Sequence, residues 1–181
     1  MANGRVLELA GLLDAAFHSD TEHSILGSLW TVGDTEWSAR LAQDGRSVRA
    51  IVRHLATGYH AYYNSAFTDA EPSWERWVAI GESKAGRDEL MAWLTEGHEA
   101  LVGAVLRLED GDLDLPRPTH WGELVPTRRI LLIVIGHGYY HSGEINHLRS
   151  VLQGNDRWGY YANEMPAQPA PSWSSNHPWP V

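Results

Sequence analysis

The chain has 181 residues, of which 43% are hydrophobic, and its 14 basic against 23 acidic residues give a net charge of −9. A chain of this length can bury a core of its own, so we expect one main domain. The acidic balance and the lack of a basic patch argue against nucleic-acid binding through phosphate contacts. With no cysteine, the chain has no disulfide, no thiolate ligand and no cysteine nucleophile.

We expect neither a signal peptide at the N-terminus nor a membrane-spanning segment. Residues 1–8 include no apolar segment of signal-peptide length. The longest apolar run, residues 130–135, is far too short to span a bilayer. We therefore expect a cytoplasmic protein that does not associate with membranes.

The first half of the chain has helical periodicity. An apolar stripe over residues 6–17 predicts a first helix, which continues to Trp30 after a break at residues 18–20. Residues 33–36 and 42–46 are turn-like. Ser47 is a suitable N-cap for a second helix, whose predicted buried positions are Val48, Ile51, Val52, Leu55 and Tyr59.

The second half has two further helical segments. Trp74 and Trp77 fall in a short segment that the pattern does not assign, and a third helix is predicted over residues 83–108. A long connection over residues 110–118 follows. A fourth helix is predicted to begin at Pro126 or Thr127 and to end at residue 152, with Gly154 as its stop.

Four long amphipathic segments predict an all-α protein, an up-and-down four-helix bundle formed by residues 1–160. Residues 161–181 form a separate tail that is rich in proline and tryptophan and cannot be a helix. Its Trp173 and Trp179 indicate that the tail packs on the bundle or on a partner subunit.

The clearest chemical signal is the pair His137 and His141 in the fourth helix. Residues four apart on a helix lie about 40° apart around its axis, so both rings leave from one face. Neutral imidazoles in this arrangement suit a divalent transition metal, but a site needs at least a third ligand. His54 in the second helix is the best candidate. The alternatives are that the pair lies on a solvated face and that His54 is an ordinary core histidine.

These same residues resemble a known family. Residues 47–56, residues 137–149 and residues 154–158 are similar to the second helix, the fourth-helix motif and the closing segment of the DinB/YfiT-like superfamily, and the resemblance covers about residues 5–160. It implies a four-helix bundle that forms a homodimer, with His54, His137 and His141 as the ligands of a metal in an open pocket. Zinc or nickel is expected first, with iron as the alternative.

The superfamily that this chain resembles includes metal-dependent thiol transferases, a maleylpyruvate isomerase that uses a low-molecular-weight thiol, and the iron-binding part of sulfoxide synthases. This chain has Gly143-Glu144 where the superfamily commonly has Gly-Gln. We take Glu144 as the candidate catalytic residue: a fourth ligand, a partner that orients a histidine, or a general base. The alternative is a surface glutamate paired with an arginine.

Two classes of function follow. The first is a metal-dependent transferase of the small-thiol type, or a hydrolase, because three histidines leave open positions on the metal. The second is a non-catalytic dimeric bundle that binds a metal or small ligand. Any thiolate nucleophile has to come from a small-molecule substrate, since the chain has no cysteine. The net charge of −9 does not favour a very anionic substrate, although it leaves the local charge of a site open.

Other polar residues have weaker predictions. His23 is a candidate for the pocket, whereas His60 lies about 120° around the helix from His54 and is not expected to share its site. His147 is predicted to face away. Tyr140 is assigned either to the pocket rim or to ordinary packing, and Arg149 either to an ion pair or to an anion anchor. The histidines without a partner pattern are His98, His120 and His177.

Overall fold

A computed structural model describes residues 3–18 and 23–156 of the chain. The tail predicted for residues 161–181 lies outside these described residues. Within them the elements are α1 (Gly4–His18), α2 (Ile25–Leu29), α3 (Asp34–Ser38), α4 (Val48–Phe67), α5 (Trp74–Ser83), α6 (Arg87–Val105), a 3₁₀ helix (Asp110–Asp114), β1 (Pro116–Pro118), β2 (Leu124–Pro126) and α7 (Thr127–Gln153).

The predicted all-α class is confirmed, with four long helices carrying the core. The most extensive packing joins α4 to α6, and α7 packs against both α1 and α4. The up-and-down order of the four helices stays a prediction. Among residues 3–18 and 23–156, no helix combines the length and the hydropathy needed to cross a membrane.

The ends of the helices that carry the histidines follow the sequence signals. The Ser47 hydroxyl accepts a hydrogen bond from the backbone N–H of Ala50 at 3.3 Å, and so caps the start of α4. Helix α7 begins at Thr127, directly after Pro126. It ends before Gly154, whose φ of 68° is in the left-handed region that favours glycine. Both capping predictions are confirmed.

Helical structure differs from the prediction around the third helix. The unassigned tryptophan segment is helix α5, capped by the Ser73 hydroxyl, which accepts from the Arg76 N–H at 3.2 Å. The prediction of one helix over residues 83–108 was too long, since α6 spans Arg87–Val105. Arg49 donates hydrogen bonds to the carbonyl oxygens of Lys84 and Ala85. These bonds hold the link between α5 and α6 in a non-helical conformation.

Two further elements lie where the sequence indicated turns or a connection. Helix α3 occupies part of the predicted turn at residues 33–36. Strands β1 and β2 pair in an antiparallel hairpin between the predicted third and fourth helices, and only β1 lies within the predicted connection at residues 110–118. The Pro-Arg-Pro sequence of β1 is not a strand pattern, because proline cannot donate to a ladder. Arg117 holds the hairpin to the bundle by donating to the carbonyl oxygen of Ala66 at 3.0 Å and to the Thr127 hydroxyl at 3.0 Å.

A buried polar cluster joins α1 to α6. Asp14 Oδ1 accepts from His18 Nδ1 at 2.9 Å and from His98 Nε2 at 3.3 Å, and His98 stacks on Phe17. Burial raises the pKa of Asp14, but the hydrogen bonds from both imidazoles outweigh it and hold that pKa at about 2. The carboxylate is therefore ionised at neutral pH, and both rings act as donors to it. His98 thus has a structural partner that the sequence pattern did not show.

Close packing of α4 on α6 depends on Gly97. A Cβ at this position would lie 2.9 Å from His60 Cδ2 and 3.0 Å from Tyr59 Cβ. We expect Gly97→Ala to lower the free energy of unfolding by about 1–3 kcal/mol, because the extra methyl group forces the two helices apart. The measurement is chemical denaturation followed by circular dichroism.

Gly103 on the same helix is the matched control. A Cβ there meets only the Arg107 Nη1 atom, 3.8 Å away at the end of a flexible side chain. Gly103→Ala should leave stability unchanged or raise it by up to about 1 kcal/mol through helix propensity. An equal loss of unfolding free energy in Gly97→Ala and Gly103→Ala would show that the α4–α6 contact at Gly97 is not the cause of the destabilisation.

Candidate metal centre

Three imidazoles from two helices converge where α4 packs on α7. The Nε2 atom of His137 lies 3.0 Å from His54 Nε2 and 3.0 Å from His141 Nε2. One ligand atom from each of the three residues can be chosen so that all lie within 4.8 Å of one another. His54 and His137 are half-buried, and His141 is buried. The structure thus brings together the three histidines that the sequence singled out.

Three neutral imidazole rings cannot form hydrogen bonds in both of the 3.0 Å contacts around His137. His141 Nδ1 faces the Glu144 carboxylate at 2.7 Å and must donate to it. In a neutral His141, the Nε2 atom then carries no hydrogen atom and offers only its lone pair. The Nε2 atom of His137 either donates one hydrogen atom or accepts with one lone pair, so it can make a proper hydrogen bond in only one of its two 3.0 Å contacts. At least one of the two contacts between ring nitrogens therefore is not a hydrogen bond.

A divalent cation among the three lone pairs would satisfy all of them. Metal–nitrogen bonds of about 2.0–2.1 Å in a tetrahedron place ligand atoms roughly 3.3–3.4 Å apart. The 3.0 Å separations around His137 are close to that value. The donor set therefore fits a nitrogen-ligated transition metal, although imidazoles alone do not select among zinc, nickel, iron and copper.

The surroundings keep the rings uncharged. Burial, with the neighbouring His141 and His54 and with Arg46, lowers the pKa of His137 to about 3. Burial, His54 and Arg46 lower the pKa of His141 to about 4. Burial also lowers the pKa of His54, followed by Arg46, and Glu144 opposes the shift. The neutral form, which is the form that binds a metal, is therefore the form present at neutral pH.

Glu144 lies behind His141. Its Oε2 accepts from His141 Nδ1 at 2.7 Å, and its Oε1 pairs with Arg46 at 2.9 Å. A carboxylate in this position fixes the tautomer and the orientation of a ligand histidine. The contact with Arg46 also matches the alternative interpretation of a glutamate paired with an arginine. A role for Glu144 as general base stays a prediction.

Two aromatic residues border the centre, and the sequence did not assign either of them to it. The Trp74 ring of α5 meets His54 edge to face, with centroids 5.9 Å apart. His120, in the turn of the hairpin, stacks on Trp74 at 5.0 Å. Its Nδ1 atom is buried without a hydrogen-bond partner among the described residues. His120 gave no signal in the sequence because its hairpin was not predicted.

The remaining histidines lie outside the centre. His60 Nε2 donates to the Trp93 carbonyl oxygen at 3.0 Å, and its ring stacks on both Trp77 and Trp93. It is separate from His54, as its helical angle indicated. His23 and His147 are exposed and do not belong to the three-histidine group. His177 lies outside the described residues.

Two other candidates have clear positions. The Tyr140 ring is largely exposed and meets His141 edge to face at 4.9 Å, at the rim of the centre. Arg149 is fully buried and donates to the Ser28 carbonyl oxygen at 2.9 Å and to Asn146 Oδ1 at 3.2 Å. Burial lowers the pKa of Arg149 to about 10. These hydrogen bonds join α7 to α2, which is a structural role, although neither of the two acceptors is a charged group.

A helical protein in which three imidazoles converge is a candidate metalloprotein with histidine ligands. The family model described as "DinB family" matches residues 16–161, which is most of the chain, so this chain belongs to the DinB family. The resemblance seen in the sequence is thereby confirmed. The comparison with curated proteins gave no match.

The hydrogen bond between Glu144 and His141 gives a testable consequence. We expect Glu144→Gln to weaken zinc binding by about 10–100-fold, because the neutral amide orients the imidazole less firmly and makes it less basic. Competition with a zinc-sensitive dye measures the affinity. The control is Glu8→Gln, which changes an exposed glutamate on α1. Unchanged affinity in Glu144→Gln would contradict the positioning role.

Proposed function

We propose that this protein is a metal-dependent enzyme, a transferase that uses a small thiol or a hydrolase. The observation that carries the proposal is the convergence of three uncharged imidazoles at the border of an open cleft, which includes His54 in its wall. A structural metal is usually enclosed by four protein ligands, whereas three leave a position for substrate or water.

The chain's own residues supply binding and orientation. His54, His137 and His141 would hold the metal, and Glu144 fixes the ring of His141. When bound, such a metal acts as a Lewis acid that lowers the pKa of water or of a thiol beside it. Because the sequence has no cysteine, the thiol of a transferase reaction has to come from a small molecule.

Metal analysis tests the proposal directly. We expect protein purified without a polyhistidine tag to contain about one zinc or nickel ion per chain, measured by inductively coupled plasma mass spectrometry. His54→Ala and His141→Ala should lose this metal, since two imidazoles make a poor site. His147→Ala is the control, because it removes an exposed histidine from the same helix as His141.

The outcomes separate the functional classes. Wild type without metal, or metal retained in both ligand variants, would overturn the metal centre. Stoichiometric metal with no turnover of small thiols or hydrolysable esters would favour the second class, a non-catalytic metal-binding bundle. Turnover that chelation abolishes and zinc or nickel restores would support the enzyme.

We also propose that the protein forms a homodimer, as the family resemblance implies, through one face of α7. Leu132, Gly136, Tyr139 and Gly143 are spaced four and three residues apart along this face, and all four are exposed. At both glycines, no atom lies within 4 Å of the place a Cβ would take. A helix from a second copy therefore has room for close approach beside two large apolar side chains.

Light scattering coupled to size exclusion tests the dimer. We expect wild type to have twice the chain mass of 20.2 kDa, and Leu132→Glu to have the mass of one chain, because a charge disrupts an apolar contact. Leu124→Glu changes an exposed leucine of the hairpin and is the control. A monomeric wild type, or a Leu132→Glu dimer, would contradict this interface.

A further inference from the structure

The cleft beside the three histidines has more basic than acidic side chains, although the protein as a whole is acidic. It has a volume of about 360 Å³ and is bordered by His54. Its charged lining consists of three arginines, Arg40, Arg46 and Arg53, against one carboxylate, Asp44. The chain as a whole carries a net charge of −9. The cleft therefore concentrates positive charge in one concave region.

The three guanidinium groups differ in what they already bind. Arg46 pairs with Glu144 at 2.9 Å, and Arg40 donates to the carbonyl oxygen of Gly45 at 3.2 Å. Arg53 is half-buried and makes no hydrogen bond or ion pair with the described residues. Its five N–H donors are thus available to a ligand, in a fork that matches carboxylate or phosphate oxygens.

The position of Arg53 suits a substrate anchor. It precedes His54 directly on α4, so the same helix turn carries the anchor and a candidate metal ligand. Its aliphatic stem packs against α5 at Gly81, where a Cβ would come within 3.2 Å of Arg53 Cγ. Packing of the stem limits the freedom of the side chain, so binding an anion costs less conformational entropy.

The rest of the lining fits the organic part of a small molecule. Trp74 and Val78 of α5 give the cleft an apolar wall, and Thr57 adds a hydroxyl. Trp74 also contacts the His54 ring, so the apolar wall continues to the histidine group. A ligand bound at Arg53 would extend along Trp74 toward the candidate metal.

We propose that this cleft binds an oxyanion group, a carboxylate or a phosphate, of the small-molecule substrate, with Arg53 as the anchor. The inference rests on the proposed function for its meaning in catalysis, but the anion site itself does not require a metal. The net charge of −9 does not favour a very anionic substrate, but the local charge of the cleft does.

Calorimetric titration with three probes tests the site: succinate, inorganic phosphate and uncharged succinamide. Each is titrated into zinc-loaded and metal-free wild type, Arg53→Ala, Arg53→Lys and Arg129→Ala. Arg129 is exposed on α7 and does not line the cleft, so it controls for a general loss of positive charge. Metal content and circular dichroism of every variant are measured alongside.

We expect at least one of the two anions to bind wild type and succinamide not to bind. Arg53→Ala should weaken that binding by about tenfold or more, because a charge-assisted bidentate contact is lost. Arg53→Lys should keep part of the affinity, and Arg129→Ala should match wild type. Whether succinate or phosphate binds more tightly identifies the kind of oxyanion.

The failures of the two proposals are distinguishable. Anion binding that is equal in Arg53→Ala and wild type, or absent from metal-free and zinc-loaded wild type alike, would overturn the Arg53 site. Anion binding only in the zinc-loaded form and unaffected by Arg53→Ala would assign the anion to the metal, and would also overturn it. Loss of anion binding in metal-free Arg53→Ala would support the site even if the three histidines prove to bind no metal.

Discussion

The packing of α4 against α7 is the constraint on which the candidate centre depends. Helix α7 supplies two imidazoles four residues apart, and α4 supplies the third at the contact between the two helices. Gly58, one turn beyond His54, faces the His137 ring, and a Cβ there would lie 3.7 Å from its Cε1 atom. The ligand set is therefore completed by helix packing and not by any local motif. A small change in the crossing of the two helices would separate the rings without altering either helix.

The contact between α4 and α7 also keeps the three imidazoles uncharged at neutral pH. Three rings that share one space cannot all be charged, and burial, ring proximity and Arg46 lower their pKa values together. Glu144 lies on the outer side of His141, where it balances Arg46 and orients the ring. Asp14 shows the opposite arrangement in the same bundle: there a buried carboxylate is surrounded by imidazole donors. The first arrangement directs imidazole nitrogens at one another, whereas in the second both imidazoles donate to a carboxylate.

Much of this could be predicted from the sequence, for physical reasons that differ between elements. Long amphipathic helices have a periodic signal, and Ser47 and Gly154 are capping residues whose effect is local. His137 and His141 share a face by helix geometry alone. His54 was the best candidate for a third ligand, but only the family resemblance joined it with them in one site, because no local rule connects residues more than eighty positions apart. Elements held by tertiary hydrogen bonds were missed, such as the hairpin anchored by Arg117 and the link fixed by Arg49.

The elements that the sequence did not predict matter because they surround the candidate metal centre. The three histidines come from long helices, whereas the cleft is lined partly by α4 and α5 and partly by residues 40–46 before α4. His120 lies in the unpredicted hairpin, Trp74 begins the unassigned helix α5, and Arg46 precedes the N-cap of α4. Long helices fix ligand positions rigidly, whereas connecting segments can change in sequence without disturbing the core. In this bundle the candidate metal ligands therefore belong to the helices. Under the proposed function, the choice of substrate would depend on residues 40–46 before α4 and on the cleft-lining side chains of α4 and α5, among them Arg53.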